Sequence, residues 1–109
     1  MSEGLVELDG DLTVVWLNRS AERMIERERH TVLGKRVFEA IPALRDSVLS
    51  QKLEVARASG APVSFSADLA LARDLKHYAI RLFPQRDPDT ISVFIARRST
   101  PDDQEQDAF

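Results

Sequence analysis

Beyond Gly60 the apolar residues change their spacing. Between Asp46 and Ser59 they recur at helical intervals, with Leu49, Leu53 and Ala56 on one side of the segment DSVLSQKLEVARAS. From Val63 the period becomes two. Val63, Phe65, Ala67, Leu69 and Leu71 share one face of VSFSADLAL (63–71); Tyr78, Ile80 and Leu82 share a face of KHYAIRLF (76–83); and Ile91, Val93 and Ile95 share a face of TISVFIA (90–96). Turn chemistry at Arg73-Asp74 and at QRDPD (85–89) separates these segments. A helix followed by alternating segments with short polar connections predicts an antiparallel meander whose apolar side rests on that helix.

The N-terminal part supplies two more strands. GLVEL (4–8) places Leu5 and Glu7 on one face and Val6 and Leu8 on the other, Asp9-Gly10-Asp11 signals a turn, and LTVVWL (12–17) follows as the hairpin partner. Alternation puts Val14 and Trp16 on the inner side of that strand and Val15 and Leu17 on its outer side. Asn18 then acts as a helix N-cap, because its side-chain oxygen can accept from the next turn while its own backbone stays extended. Residues 19–29 form a short helix with Ala21, Met24 and Ile25 on its apolar side. HTVLGKRVFEAIPALR (30–45) reads as short helical turns broken by Gly34 and Pro42, with Val32, Leu33, Val37, Phe38, Ile41 and Leu44 buried and Gly34 at a positive φ. Asp46 or Ser47 caps the long helix at its start, and Gly60 with Pro62 stops it. The predicted fold is α+β: a five-stranded antiparallel sheet with helices on one face.

Composition narrows the chemistry. A chain of 109 residues has room for one core. Its net charge is −3, and Arg23, Arg27 and Arg29 are interleaved with Glu22, Glu26 and Glu28, so no broad basic surface invites nucleic acid. The absence of Cys rules out disulfides, thiolate catalysis and Cys-ligated zinc, and it fits a reducing cytoplasm. No apolar run reaches the ~20 residues of a membrane-spanning helix, so no direct membrane contact is expected. His30 lies in a charged stretch and His77 alternates opposite Tyr78 and Ile80; both read as solvated side chains, and no set of residues offers metal geometry. Asp and Glu fall in turns, caps and polar helix faces, Asp68 among the outward positions. That is a poor inventory for acid–base catalysis, and the chain is read as a non-enzyme.

The ordered series Asp9, Val14-x-x-x-Asn18-x-x-Ala21, Ile25, Leu33-Gly34-Lys35, Phe38, Ile41-Pro42, Gly60-x-Pro62, then Tyr78 ahead of a strand ending in Pro84, resembles a PAS domain over residues 4–98. The resemblance implies a sensing and dimerising module of a cytoplasmic signalling protein, foremost a sensor histidine kinase. Asp9, Asn18, Gly34 and Gly60 would be its structural motif residues. The alternative is a stand-alone small-molecule-binding α+β domain or an isomerase-like enzyme. In family terms, the cysteinyl flavin adduct and the thioester chromophore both need a Cys that this chain lacks. Helix-His haem needs a His that residues 46–59 lack. Many members end in an Asp-Ile-Thr-like junction, where this chain reads ARRST (96–100). The expected domain is 1–98. Residues 99–109 are an acidic tail or, from the Thr100-Pro101-Asp102-Asp103 capping pattern, the start of an output helix to a domain in the same chain or in a partner protein.

Two surfaces carry the functional expectation. A ligand pocket between sheet and helices would be lined by Trp16, Met24, Phe38, Leu49, Leu53, Phe65, Tyr78 and Ile80, though plain core packing accounts for the same residues. Trp16 and Tyr78 stand out, since a buried indole N–H or phenol O–H wants a polar partner. On the outer sheet face, Leu5, Val15, Leu17, Ala79 and Phe94 would form an apolar patch, covered by a preceding helix or, as predicted here, by a second copy in a homodimer.

Overall fold

The computed structural model describes residues 3–86 and 89–98. Strands β1 (Gly4–Asp9) and β2 (Val14–Leu17) precede the helices α1 (Arg19–Ile25), α2 (Arg29–Val32) and α3 (Val37–Ala40). A 3-10 turn at Pro42–Leu44 leads to α4 (Val48–Ser59) and then to β3 (Val63–Leu69), β4 (Lys76–Gln85) and β5 (Thr90–Arg97). All pairings are antiparallel, in the order β2-β1-β5-β4-β3. The expected five-stranded sheet with helices is therefore present. Asp87, Pro88 and the capping pattern at Thr100-Pro101 lie outside the described residues.

The register places β5 at the centre of the sheet. Val6 of β1 stands opposite Val93, which stands opposite Leu82 of β4, which stands opposite Val63 of β3. With Leu8, Ile91, Ile95, Tyr78 and Ile80 these residues make the inner face, and Leu17, Ala21, Ile25, Val32, Leu44, Leu49, Leu53 and Ala56 close over it. Gly4 lets α1 approach: a Cβ there would lie 2.9 Å from the Met24 Sδ and 3.3 Å from the Ala21 Cα.

Alternation misplaces half of β2. Glu7 stands opposite Trp16, but its neighbour Leu8 stands opposite Val14, so Val15 is the surplus residue of a β-bulge. A bulge shifts the parity of everything beyond it. Val14 and Leu17 consequently both face the core, with Leu17 1% exposed, whereas Trp16 is 42% and Val15 49% exposed. The expectations of an inward Trp16 and an outward Leu17 are both corrected.

The hairpin turn holds a second departure. Asp9 Oδ1 accepts from the N–H groups of Asp11 and Thr13 at 2.9 Å each, so the acidic side chain shapes the turn as its sequence suggests. The left-handed residue there is Leu12 at φ 63, not Gly10. Leu12 is a bulky side chain in a costly conformation. Its burial in the core, and the bond from the Val37 N–H to its carbonyl at 2.9 Å, are what hold it there.

The helices stop where local chemistry says they must. Gly34 and Gly60 take φ 81 and φ 70, and Gly60 ends α4 with its N–H bonded to the Ala56 carbonyl. Ser47 occupies the N-cap position of α4 but turns its hydroxyl to the Leu44 carbonyl at 2.7 Å. The single predicted helix over 19–29 divides, because Glu26 adopts a left-handed conformation at φ 54 and closes α1.

Candidate functional site

Asn18 sits where strand becomes helix. Its Oδ1 accepts from the Ala21 N–H at 2.9 Å, capping α1, and from the Leu5 N–H at 3.0 Å. Its Nδ2 donates to the Glu3 carbonyl at 3.0 Å, and its own N–H donates to the Leu5 carbonyl at 2.9 Å. One side chain thus ties the first helix to the beginning of β1, which is paired with the end of β5 through Gly4 and Ile95.

The interior between sheet and helices contains a cavity of about 40 Å³, lined by Leu, Ile, Val and Ala side chains that include Val14, Leu17, Leu49, Leu53, Val93 and Ile95. Ligand pockets run to about 300–1,000 Å³. A group larger than a few water-sized units would need the helices to move away from the sheet. Among the described residues no charged side chain is buried, Tyr78 is the one buried side chain with a polar atom, and no fully buried side-chain polar atom lacks a partner. The interior is therefore shaped for apolar contact.

Of the proposed pocket residues, Leu49 and Leu53 line this cavity. Tyr78 and Ile80 are buried in the same core, and Met24, Phe38 and Phe65 pack half-buried at its margin. Trp16 is elsewhere: it faces out, with the Arg29 guanidinium 5.8 Å from its ring centroid. Tyr78 is 3% exposed. Burial raises the pKa of its phenol above the ordinary 10.0; the positive charge of Arg97 opposes the shift and Glu26 adds to it.

The outer sheet face is a mosaic. Leu5 and Phe94 stand side by side, as do Ala79 and Ala96, and all four are half-buried. Phe83 meets Phe94 edge-on at 5.5 Å, and the Arg81 guanidinium lies 5.2 Å from the Phe94 centroid and 5.9 Å from that of Phe83. Arg81 also donates to both Glu3 carboxylate oxygens at 2.9 Å. Nearby, the Ser92 hydroxyl donates to Glu7 at 2.8 Å, and the His77 Nδ1 lies 2.8 Å from the Asp68 Oδ1. Of the expected patch, Leu5, Ala79 and Phe94 share this face, Val15 is exposed at the bulge, and Leu17 belongs to the core. Arg81 is the member that sequence reading missed. Alternation with Ala79 and Phe83 places it outward, but its seat over Phe94 follows from the β4–β5 register, in which the two are opposite.

Comparison with known proteins agrees with this architecture. A family model described as the PAS fold matches residues 1–100. Among solved structures, the photoactive yellow protein domain of the sensor histidine kinase Ppr from Rhodospirillum centenum has a TM-score of 0.78 at 21% identity, covering 89% of this chain and 92% of that one. A sensory box sensor histidine kinase from Vibrio cholerae has a TM-score of 0.76 at 18% identity, covering 92% and 85%. The PAS domain of BvgS from Bordetella pertussis has a TM-score of 0.75 at 16% identity, covering 97% and 84%. No curated protein sequence matches the chain. At these identities the likeness is one of fold.

Proposed function

Since this chain belongs to the PAS fold family, we propose that it is a sensory and dimerisation module of a cytoplasmic signal-transduction protein of the sensor histidine kinase kind, relaying a signal to an output domain. The observation that carries this reading is the position of β5. Its inner residues Val93 and Ile95 line the interior cavity, its outer residue Phe94 sits in the Arg81 and Phe83 cluster, and the strand leads to Arg98, whose N–H bonds to the His77 carbonyl at 2.9 Å. A change in packing on one side of this strand is felt on the other, and at the chain's exit from the sheet. A ligand or partner that favours one arrangement biases whatever is attached there.

The partner in this reading is a second copy, meeting the outer face at Leu5, Ala79 and Phe94, with Val15 at the rim. An isomerase-like role finds less support, because catalytic acids and bases would have to sit among inner residues that, among those described, are apolar apart from the Tyr78 phenol, which burial keeps protonated. The PAS neighbours that carry kinase names, and the absence from the described helices of any long and apolar enough to cross a membrane, are consistent with a cytoplasmic signalling module.

The reading is tested by fusing residues 1–98 to the dimeric catalytic part of a histidine kinase and measuring autophosphorylation and sedimentation. Phe94→Asp should leave the domain folded by circular dichroism, reduce its sedimenting mass by loss of the outer-face contact and lower the fusion's activity. Unchanged oligomeric state and activity in that variant would remove the basis for the proposal.

A further inference from the structure

The two ends of the sheet are finished differently. Beyond β2, the Gly34–Val37 segment takes up the free edge. The Val14 N–H bonds to the Lys35 carbonyl at 2.9 Å, the Gly34 N–H to the Val14 carbonyl at 2.8 Å and the Val37 N–H to the Leu12 carbonyl at 2.9 Å, and Thr13 bridges to Arg36. Strand β3 ends the sheet on the other side. Among the described residues its backbone pairs with β4 alone, in an unbroken register from Val63↔Leu82 to Leu69↔Lys76. The inner side chains Val63, Phe65 and Ala67 stay only half-buried.

Free sheet edges recruit other strands, and folded proteins block them with Lys, Pro, bulges or covering segments. Residues 63–69, VSFSADL, contain no Lys, Pro or bulge. The only charge is Asp68, already held by His77 on β4 at 2.8 Å.

We infer that β3 is an interaction edge that takes the β3 of a second copy, antiparallel, about a twofold axis through Ser66. That register pairs all seven residues of β3 and keeps each face of the strand opposite its like. Ser66 meets Ser66, Ser64 meets Asp68 of the second copy, Phe65 meets Ala67, and Val63 meets Leu69. Polar residues thus face polar ones on the outer side, and a large ring faces a small side chain on the inner side. No two like charges are opposed. A shift by one residue would set Phe65 against Asp68 and put apolar residues opposite polar ones. The contact is isologous, it joins two sheets into one, and it is separate from the outer-face contact, so the two together would build assemblies larger than a dimer.

The register is read by cross-linking the 109-residue chain, which has no cysteine of its own. Ser66→Cys, Ser64→Cys and Asp68→Cys are made singly and oxidised with copper phenanthroline, each alone and in a Phe94→Asp background that removes association through the outer face. Ser66→Cys should give a disulfide-linked dimer by itself. Ser64→Cys and Asp68→Cys should remain monomeric separately and cross-link when mixed. A monomeric Ser66→Cys, or Ser64→Cys linking to itself as readily, overturns the edge pairing. Loss of the whole pattern in the Phe94→Asp background assigns the contact to the outer face instead and also overturns it. Ser66→Lys, which sets two ammonium groups against each other at the axis, should shift sedimentation of the Phe94→Asp protein from dimer to monomer.

Discussion

The oxygen of Asn18 that caps α1 also accepts from the Leu5 N–H at 3.0 Å, so the first helix and the first strand share one acceptor. With the amide nitrogen bonded to Glu3, this side chain has three backbone partners, one on the strand, one just before it and one on the helix.

Removing it should therefore cost more than an ordinary cap. Asn18→Ala leaves the Leu5 and Ala21 N–H groups and the Glu3 carbonyl without their partner, and about 2 kcal/mol of unfolding free energy should be lost. Asn18→Asp keeps the acceptor and forfeits only the bond to Glu3, a loss under about 1 kcal/mol. Urea denaturation of the two variants checks the order, and equal losses would show that the acceptor is not the important group.

Gly4 and Met24 should be coupled. A Cβ on Gly4 meets the Met24 Sδ at 2.9 Å and the Ala21 Cα at 3.3 Å, and overpacking of this kind costs about 1–3 kcal/mol. Gly4→Ala should destabilise the wild type more than it destabilises a Met24→Ala background, where only the Ala21 contact resists. A double-mutant cycle in urea gives the coupling directly, and additive losses would contradict the packing of α1 on β1.

Alkaline pH should weaken the fold through Tyr78, the chain's one tyrosine. Its phenol titrates above 10.0 in the folded protein, chiefly through burial. Below about pH 10 both states hold the proton and its contribution to stability is complete. As the pH rises further the unfolded chain ionises first, and stability falls until the folded phenol also titrates. Tyrosinate absorbance reads the folded pKa without interference from another tyrosine. Tyr78→Phe should remove this part of the loss, whereas a titration centred at or below the ordinary value would contradict the burial.

Fluorescence should report the bulge. Trp16, the only tryptophan, is 42% exposed beneath Arg29, so iodide and acrylamide should quench it in the folded state, and Arg29→Ala should increase quenching by the neutral acrylamide. Had β2 alternated without interruption, Trp16 would be in the core and iodide would leave its emission unchanged.

Much of the architecture is legible in residue order. The alternation in 63–69, 76–85 and 90–97 assigns each inner residue of the last three strands correctly, because each pairs without a register break. The helical spacing of Leu49, Leu53 and Ala56, and the stop at Gly60, are equally local facts. The cavity is less legible: Leu49 and Leu53 were identifiable, but Val32, Leu44 and Leu71 reach it through the route of the chain between elements.

Residue order by itself thus determined the five strands and α4, their sequence along the chain and the inner face of every uninterrupted strand, since these depend on periods of two and of 3.6 that each segment carries within itself. Tertiary structure alone decided the orientation of Trp16 and Leu17, the left-handed Leu12 and the seat of Arg81 over Phe94. The bulge exists only in the pairing of β2 with β1, Leu12 is held by its burial and by Val37, and Arg81 finds its ring across a strand boundary. A period describes one segment, whereas these features belong to contacts between segments, and no single segment contains the other side of the contact.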